Sequence, residues 1–328
     1  MAALQPPVGT PLLVVGEALV DVVVRPERDG VVPPVERHVG GSPANVAIGL
    51  ARLGHTVTFA TRVGQDADGA LVRAALDEDG VHLAQGWASR SRTSTATATL
   101  DAAGSARYVF DLVWDLPPLD VSGADHLHTG SIGAALAPGS AAVQVAVHAA
   151  HAAGVTTSFD PNLRPQIMGG ADAVRPGVEA LVSGSDIVKA SEEDLEWLYP
   201  GSSVQQVGAR WAAAGPALVV VTRGGDGASA WRSADPSSAI TVAPQRVQVI
   251  DTVGAGDSFM SGLLSGLADA GLLGRGRGPA LRAAEVDVLV SALHRATLTS
   301  SITCGRAGSN PPRRSEIADG EIEVGEIS

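Results

Sequence analysis

The chain has 328 residues, 45% of them hydrophobic and only 3% aromatic, so a large core is available and must be built mostly from Ala, Val and Leu. A formal net charge of −12 argues against nucleic acid or an anionic membrane as partner, and any phosphate site must be local. Cys304 is the only cysteine and Lys189 the only lysine, with no glycine-rich loop before it; this excludes an internal disulfide, an all-cysteine metal site and a Walker-type phosphate loop.

The N-terminal residues 1–10 are Pro- and Ala-rich and read as a flexible tail, as do residues 313–328. No signal peptide or membrane span is evident, so a cytoplasmic protein is expected. Leu12–Val15 reads as a buried strand ending at Gly16, and Glu17 to Asp21 reads as its continuation, with Asp21 an acid at a strand end. Residues 22–40 and 88–115 carry strand chemistry without helical period, and are placed together in a β layer projecting from the body.

Gly40-Gly41-Ser42-Pro43-Ala44-Asn45 leads into a helix with Val46, Leu50 and Leu53 on one face and Gly54 past its end. Taken alone, Gly40 and Gly41 are an ordinary tight turn and Asn45 a first-turn polar residue. From residue 126 onward, strand and helix signals alternate, which predicts a mainly parallel sheet covered on both faces. Asp160, Ser191, Thr222 and Asp251 all fall at the carboxyl ends of predicted strands, where such sheets bind ligands.

Asp160-Pro161-Asn162-Leu163-Arg164 is on local grounds a capped turn with a surface arginine. Ser191 reads as an N-cap for the helix carrying Leu195 and Leu198. Thr222-Arg223-Gly224-Gly225-Asp226-Gly227 reads as a glycine-rich turn closing an apolar strand. Val247 and Val249 alternate like a strand, and Asp251-Thr252-Val253-Gly254-Ala255-Gly256-Asp257 follows as a strand-to-helix turn, with the helix starting near Gly254. A helix start with glycines offers bare amides to an anion. Asp257 in its first turn is either a cap that favours the helix dipole, or a general base beside that anion hole.

The last stretch resembles the D-T-x-G-A-G-D signature of the ribokinase-like (PfkB) carbohydrate kinases. Gly40–Asn45 resembles that family's G-G-x-x-x-N signature, and Gly16 to Asp21 its G-x-x-x-x-D strand. Together they imply a ribokinase-like three-layer αβα sandwich with a small β lid, as one kinase domain over residues 11–312. By the same resemblance Asp257 is the base, and the Gly254, Ala255 and Gly256 amides stabilise the phosphoryl group. Asp21, Gly40, Gly41 and Asn45 hold the sugar, and Thr222, Gly224 and Gly227 belong to the nucleotide loop. The D-x-N-x-R turn of fructokinases and 2-keto-3-deoxygluconate kinases is matched by Asp160–Arg164, which implies that Arg164 reaches substrate or phosphate. Ser191 and Asp194 sit where the family places an N-x-x-E motif linked to magnesium and phosphate. Asp251 and the carbonyl of Val253 match positions that hold a monovalent cation (K⁺) in many relatives.

The implied cofactors are ATP and Mg²⁺, the implied partner a small sugar, and a homodimer through the lid is common in the family. The Glu17-containing strand and the Asp160–Arg164 turn look most like fructokinases. Tyr108-Val109-Phe110-Asp111 puts an acid where a 2-keto-3-deoxygluconate kinase would want a cation, yet lacks the second tyrosine often seen in fructokinases. Kinases of ribose or a nucleoside stay open, as does an idle sugar- or nucleotide-binding regulator. A Rossmann dehydrogenase lacks its G-x-G-x-x-G after the first strand.

Overall fold

The computed structural model describes residues 10–27, 33–85, 88–89, 91–101 and 106–318. Its main sheet has nine strands, in the order Asp235–Val242, Ala228–Arg232, Leu218–Thr222, Ile187–Ser191, Thr156–Asp160, His126–Gly130, Leu12–Val15, Val57–Ala60 and His82–Leu83. Neighbours from Leu218–Thr222 to His82–Leu83 run parallel, and the first two strands named add antiparallel at one edge.

The apolar runs Leu12–Val15 and Leu218–Val221 are buried along their whole length because helices cover both faces. Leu12 and Val14 point into a core with Phe259, Leu263 and Leu267 of the helix Ala255–Asp269. Leu13 and Val15 point the other way, toward Val143, Leu181, Leu195 and Trp211. The result is a three-layer αβα sandwich. Gly262 and Gly266 let the helix Val286–Cys304 pack closely, since a Cβ on either would run into the Ala292–Ala296 stretch. That second helix, with Leu289, Ala292, Leu293 and Ala296 buried at helical spacing, is absent from the sequence reading above.

Leu12–Val15 lies between Val57–Ala60 and His126–Gly130, so the chain order reverses beside it. The crevice at Gly16 and Gly130 is therefore the topological switch point of the sheet. Over it lies a four-stranded lid in the order Glu36–Gly40, Leu19–Val24, Ser94–Leu100 and Ala106–Asp111.

Three local expectations change. Residues Glu17 to Asp21 do not prolong Leu12–Val15; the chain bends after Gly16 and Leu19–Val24 joins the lid instead. Val247 and Val249 form no strand. They are exposed, and the chain there is tied to a helix end instead, with the amides of Ile250 and Asp251 donating to the Cys304 carbonyl. Of the two expected tails, residues 1–9 and 319–328 lie outside the described residues. Arg314–Ala318 is a short helix, with Arg314 paired to Asp269 at 2.7 Å.

Candidate active site

Asp257 stands in the first turn of Ala255–Asp269, 6% exposed. It is not a cap, because its oxygens bond side chains from other elements. Oδ1 accepts from Ser42 Oγ at 2.6 Å and Asn162 Nδ2 at 3.3 Å, and Oδ2 accepts from Asn45 Nδ2 at 2.8 Å. Gly254, before the helix, has φ +76°, and a Cβ there would collide with Ser309. The helix start has no side-chain cap; the Ala255 amide, expected among the anion donors, instead donates to the Thr252 carbonyl at 3.2 Å, which leaves the Gly256 and Asp257 amides for an anion.

Asp257 faces a cavity of about 350 Å³ at the switch point, beneath the lid. Its floor carries Gly41, Ser42 and Asn45 at the start of the helix Ser42–Arg52, and Arg164 and Asn162 from the turn after Thr156–Asp160. Lid strands contribute Leu19, Asp21, Ala96 and Phe110. Gly41 has φ +106° and sits where a Cβ would press on the Glu17 carbonyl. Gly40 does not line the cavity; it leaves room for the Asp21 carboxylate, which any Cβ at that position would strike. Tyr108 points outward, 58% exposed, and Asp111 pairs with Arg92 on the lid surface.

Two carboxylates here carry raised pKa values. Burial pushes Glu17 up to about 7, against hydrogen bonds from the Gly133 amide (2.8 Å) and Ser131. Burial also raises Asp21, while His38 and Arg164 pull it down. Arg164 curls over its own turn, with Nη1 donating to the Asn162 carbonyl at 3.0 Å, Asn162 Oδ1 at 2.6 Å and the Leu163 carbonyl at 2.9 Å.

A second cavity, of about 130 Å³, opens on the far side of the same turn. It is lined by Thr222, Gly224 and Gly227 of the glycine-rich turn, by Ala255 and Phe259, and by Thr297, Ser300 and Ser301. Gly256 borders both cavities. Beneath it is a group that the sequence analysis used only to exclude another enzyme class: a Cβ on Gly256 would stand 3.0 Å from Lys189 Nζ. Lys189 is 3% exposed and bonded to Asp160 Oδ2 at 2.9 Å, while Asp160 Oδ1 has no partner. Burial works against the lysine's charge, but Asp160, Asp194 and Asp257 outweigh it and hold the pKa above the ordinary value.

The metal-linked expectation for Ser191 and Asp194 meets a competing use of both side chains. Ser191 Oγ accepts from the Asp194 amide, and Asp194 Oδ2 accepts from the Ser191 amide, a reciprocal cap on the helix Glu192–Leu198. Asp194 Oδ1 accepts from the Leu163 amide at 2.7 Å, anchoring the turn that carries Asn162 and Arg164. Neither residue borders either cavity. Asp251 accepts from the amides of Val253 (3.0 Å) and Gly308 (2.8 Å), which lower its pKa, and Val253 itself lines the larger cavity. Among the described residues no three His, Cys, Asp or Glu side chains gather as a metal cluster.

The model of the pfkB family of carbohydrate kinases matches residues 10–315. The chain belongs to that family. It is thus a sugar kinase, a class that uses ATP. A fructokinase of Vibrio alginolyticus is 36% identical over 265 residues, covering 78% of this chain and 83% of the relative. The fructokinase of Xylella fastidiosa solved with bound ATP superposes with a TM-score of 0.79 at 26% identity, over 94% of this chain and 97% of that one. A Vibrio cholerae fructokinase double mutant, solved with fructose, ADP and a potassium ion, gives 0.71 at 28% identity, over 92% and 94%. Ser42 and Lys189 are contacts at this site that the motifs did not assign, and Asn162 is a member of the D-x-N-x-R turn to which no role was given.

Proposed function

We propose that this kinase transfers the γ-phosphoryl group of ATP to a primary hydroxyl of fructose. The observation that carries the reading is the shared wall: the cavity holding Asp257 and the cavity beside the glycine-rich turn meet at Gly256. A hydroxyl on one side and a phosphoryl group on the other would be in line across that turn. Asp257, oriented from Ser42 and Asn45, takes the hydroxyl proton. The amides of Gly256 and Asp257, with the buried Lys189 charge behind them, stabilise the phosphoryl oxygens. Asp21, Gly41 and Asn45 face the sugar.

The cavity's titratable lining is three carboxyl groups, Glu17, Asp21 and Asp257, against Arg164, which favours a neutral sugar over an acidic one. Magnesium bound with the nucleotide would supply charge neutralisation for its phosphates. Asp251 and the Val253 carbonyl would contribute to a monovalent-cation site on the same loop. Val35, Tyr108 and Val109 are exposed on the lid, the face through which a homodimer would form.

ADP release measured over fructose, ribose, tagatose, 2-keto-3-deoxygluconate and adenosine tests the reading. Fructose is expected to give the highest kcat/KM. A higher value for another acceptor would replace the substrate and keep the mechanism, whereas ATP binding without turnover on any acceptor would favour an idle binder.

A further inference from the structure

Among the described residues only two outside glycine have positive φ: Ser131 at +54° and Asn162 at +35°. They follow the neighbouring strands His126–Gly130 and Thr156–Asp160, line the same cavity as Asp257, and touch, with Ser131 Oγ donating to the Asn162 carbonyl at 3.4 Å. An L-residue is strained in that region, asparagine less than most, and such strain persists only where the surroundings enforce it.

The Asn162 side chain uses both ends. Its Oδ1 accepts from Arg164 Nη1 at 2.6 Å and its Nδ2 donates to Asp257 Oδ1 at 3.3 Å. The orientation of the amide follows from its neighbours, since a guanidinium only donates and a carboxylate only accepts. The other two donors to Asp257, Ser42 and Asn45, both come from the helix Ser42–Arg52. Asn162 is the one that reaches it from a different element, the turn after Thr156–Asp160.

We propose that Asn162 is a positioning residue of the reaction: its strained turn delivers the amide that couples Arg164 to the carboxylate of the base and fixes that base from a second side. This rests on the kinase reading above. The strain serves the side chain, because without the left-handed turn the amide would not stand between the two charged groups.

Asn162→Gly separates backbone from side chain, because glycine adopts positive φ freely. Its melting temperature is expected within about 2 °C of the parent. The KM for ATP should stay within about twofold while kcat falls about tenfold to a hundredfold, as for loss of a hydrogen bond to a charged group that aligns a reacting atom. Asn162→Asp keeps the turn and the Arg164 contact but cannot donate to Asp257, and should lose more kcat than the glycine variant. A parental kcat in Asn162→Gly, beside an active parent enzyme, would overturn the proposal and leave the kinase reading intact. Loss of kcat that merely tracks a fall in melting temperature would also overturn it. An inactive parent on every sugar would overturn both readings.

Discussion

The three strands His126–Gly130, Thr156–Asp160 and Ile187–Ser191 bury polar groups at both ends, by opposite means. Toward their amino ends His126 is bonded to Thr156 Oγ1 and Ser158 Oγ, and His128 to Ser158 Oγ, each at 2.9 Å. Both imidazoles are neutral, held near pKa 3 by burial, and no buried side-chain atom of this ladder is left without a partner. Toward the carboxyl ends, on the same sheet face, stand Asp160 and Lys189, an ion pair in which burial pushes Asp160 up to about 6 against the pull of the Lys189 charge, with one carboxylate oxygen left unbonded. A satisfied neutral ladder is a way to fill a core. A buried ion pair with spare acceptor capacity is costly as core, and its place beneath Gly256 would, under the proposed function, aim a fixed charge at the transferring phosphoryl group.

Breaking the pair should have the largest effect on that contrast. Lys189→Met leaves Asp160 buried and unpaired, at an expected cost of about 3–5 kcal/mol in denaturant unfolding. Adding Asp160→Asn should recover much of the stability and none of the activity. Single and double variants of equal stability would mean that the pair is no buried charge.

Glu17 sharpens the comparison, being a carboxylate of the charged end with no ion-pair partner. Its folded pKa, about 7, lies above the unfolded value near 4.5, so the folded state holds the extra proton. Stability is therefore present below pH 4.5 and lost as pH rises through 7, by at most ~3 kcal/mol. Glu17→Gln should flatten the curve between pH 5 and 8; an unchanged slope would assign that loss to other groups.

The ladder behaves in the opposite sense. With folded values near 3 against an unfolded value near 6.5, each histidine withdraws stability as pH falls below 6.5, by about 2 kcal/mol at pH 5. Unfolding of His128→Asn at pH 8 and pH 5 should show a smaller acid loss than the parent. An equal loss would place the acid sensitivity elsewhere, with His55, also lowered by burial, the next group to replace.

What the sequence made legible was contiguous. The turn Asp251–Asp257, the Gly41–Asn45 stretch and the strand–helix alternation each lie within a few residues, where local physics and motif spacing act together. Ser42 and Asn45 meet Asp257 across 215 and 212 residues, and Asn162 meets it across 95, which no local pattern encodes. Lys189 had one signal, a lone lysine inside the apolar run Ile187-Val188-Lys189-Ala190, but exclusion of a phosphate loop drew attention away from it. The Ser191–Asp194 spacing suits a reciprocal helix cap as well as a metal motif, so spacing alone could not separate them. Val247 and Val249 misled because alternation reports two faces and says nothing about a partner strand. The bend after Gly16 was hidden for a related reason: an apolar run reads straight through it.

The measurement that bears most directly on this account is the kcat of Asp257→Asn with fructose and saturating ATP, alongside calorimetric titration of ATP. If Asp257 is the base, kcat falls by about a thousandfold while ATP affinity stays near that of the parent. A variant that turns over fructose at the parental rate would contradict the assignment at its centre.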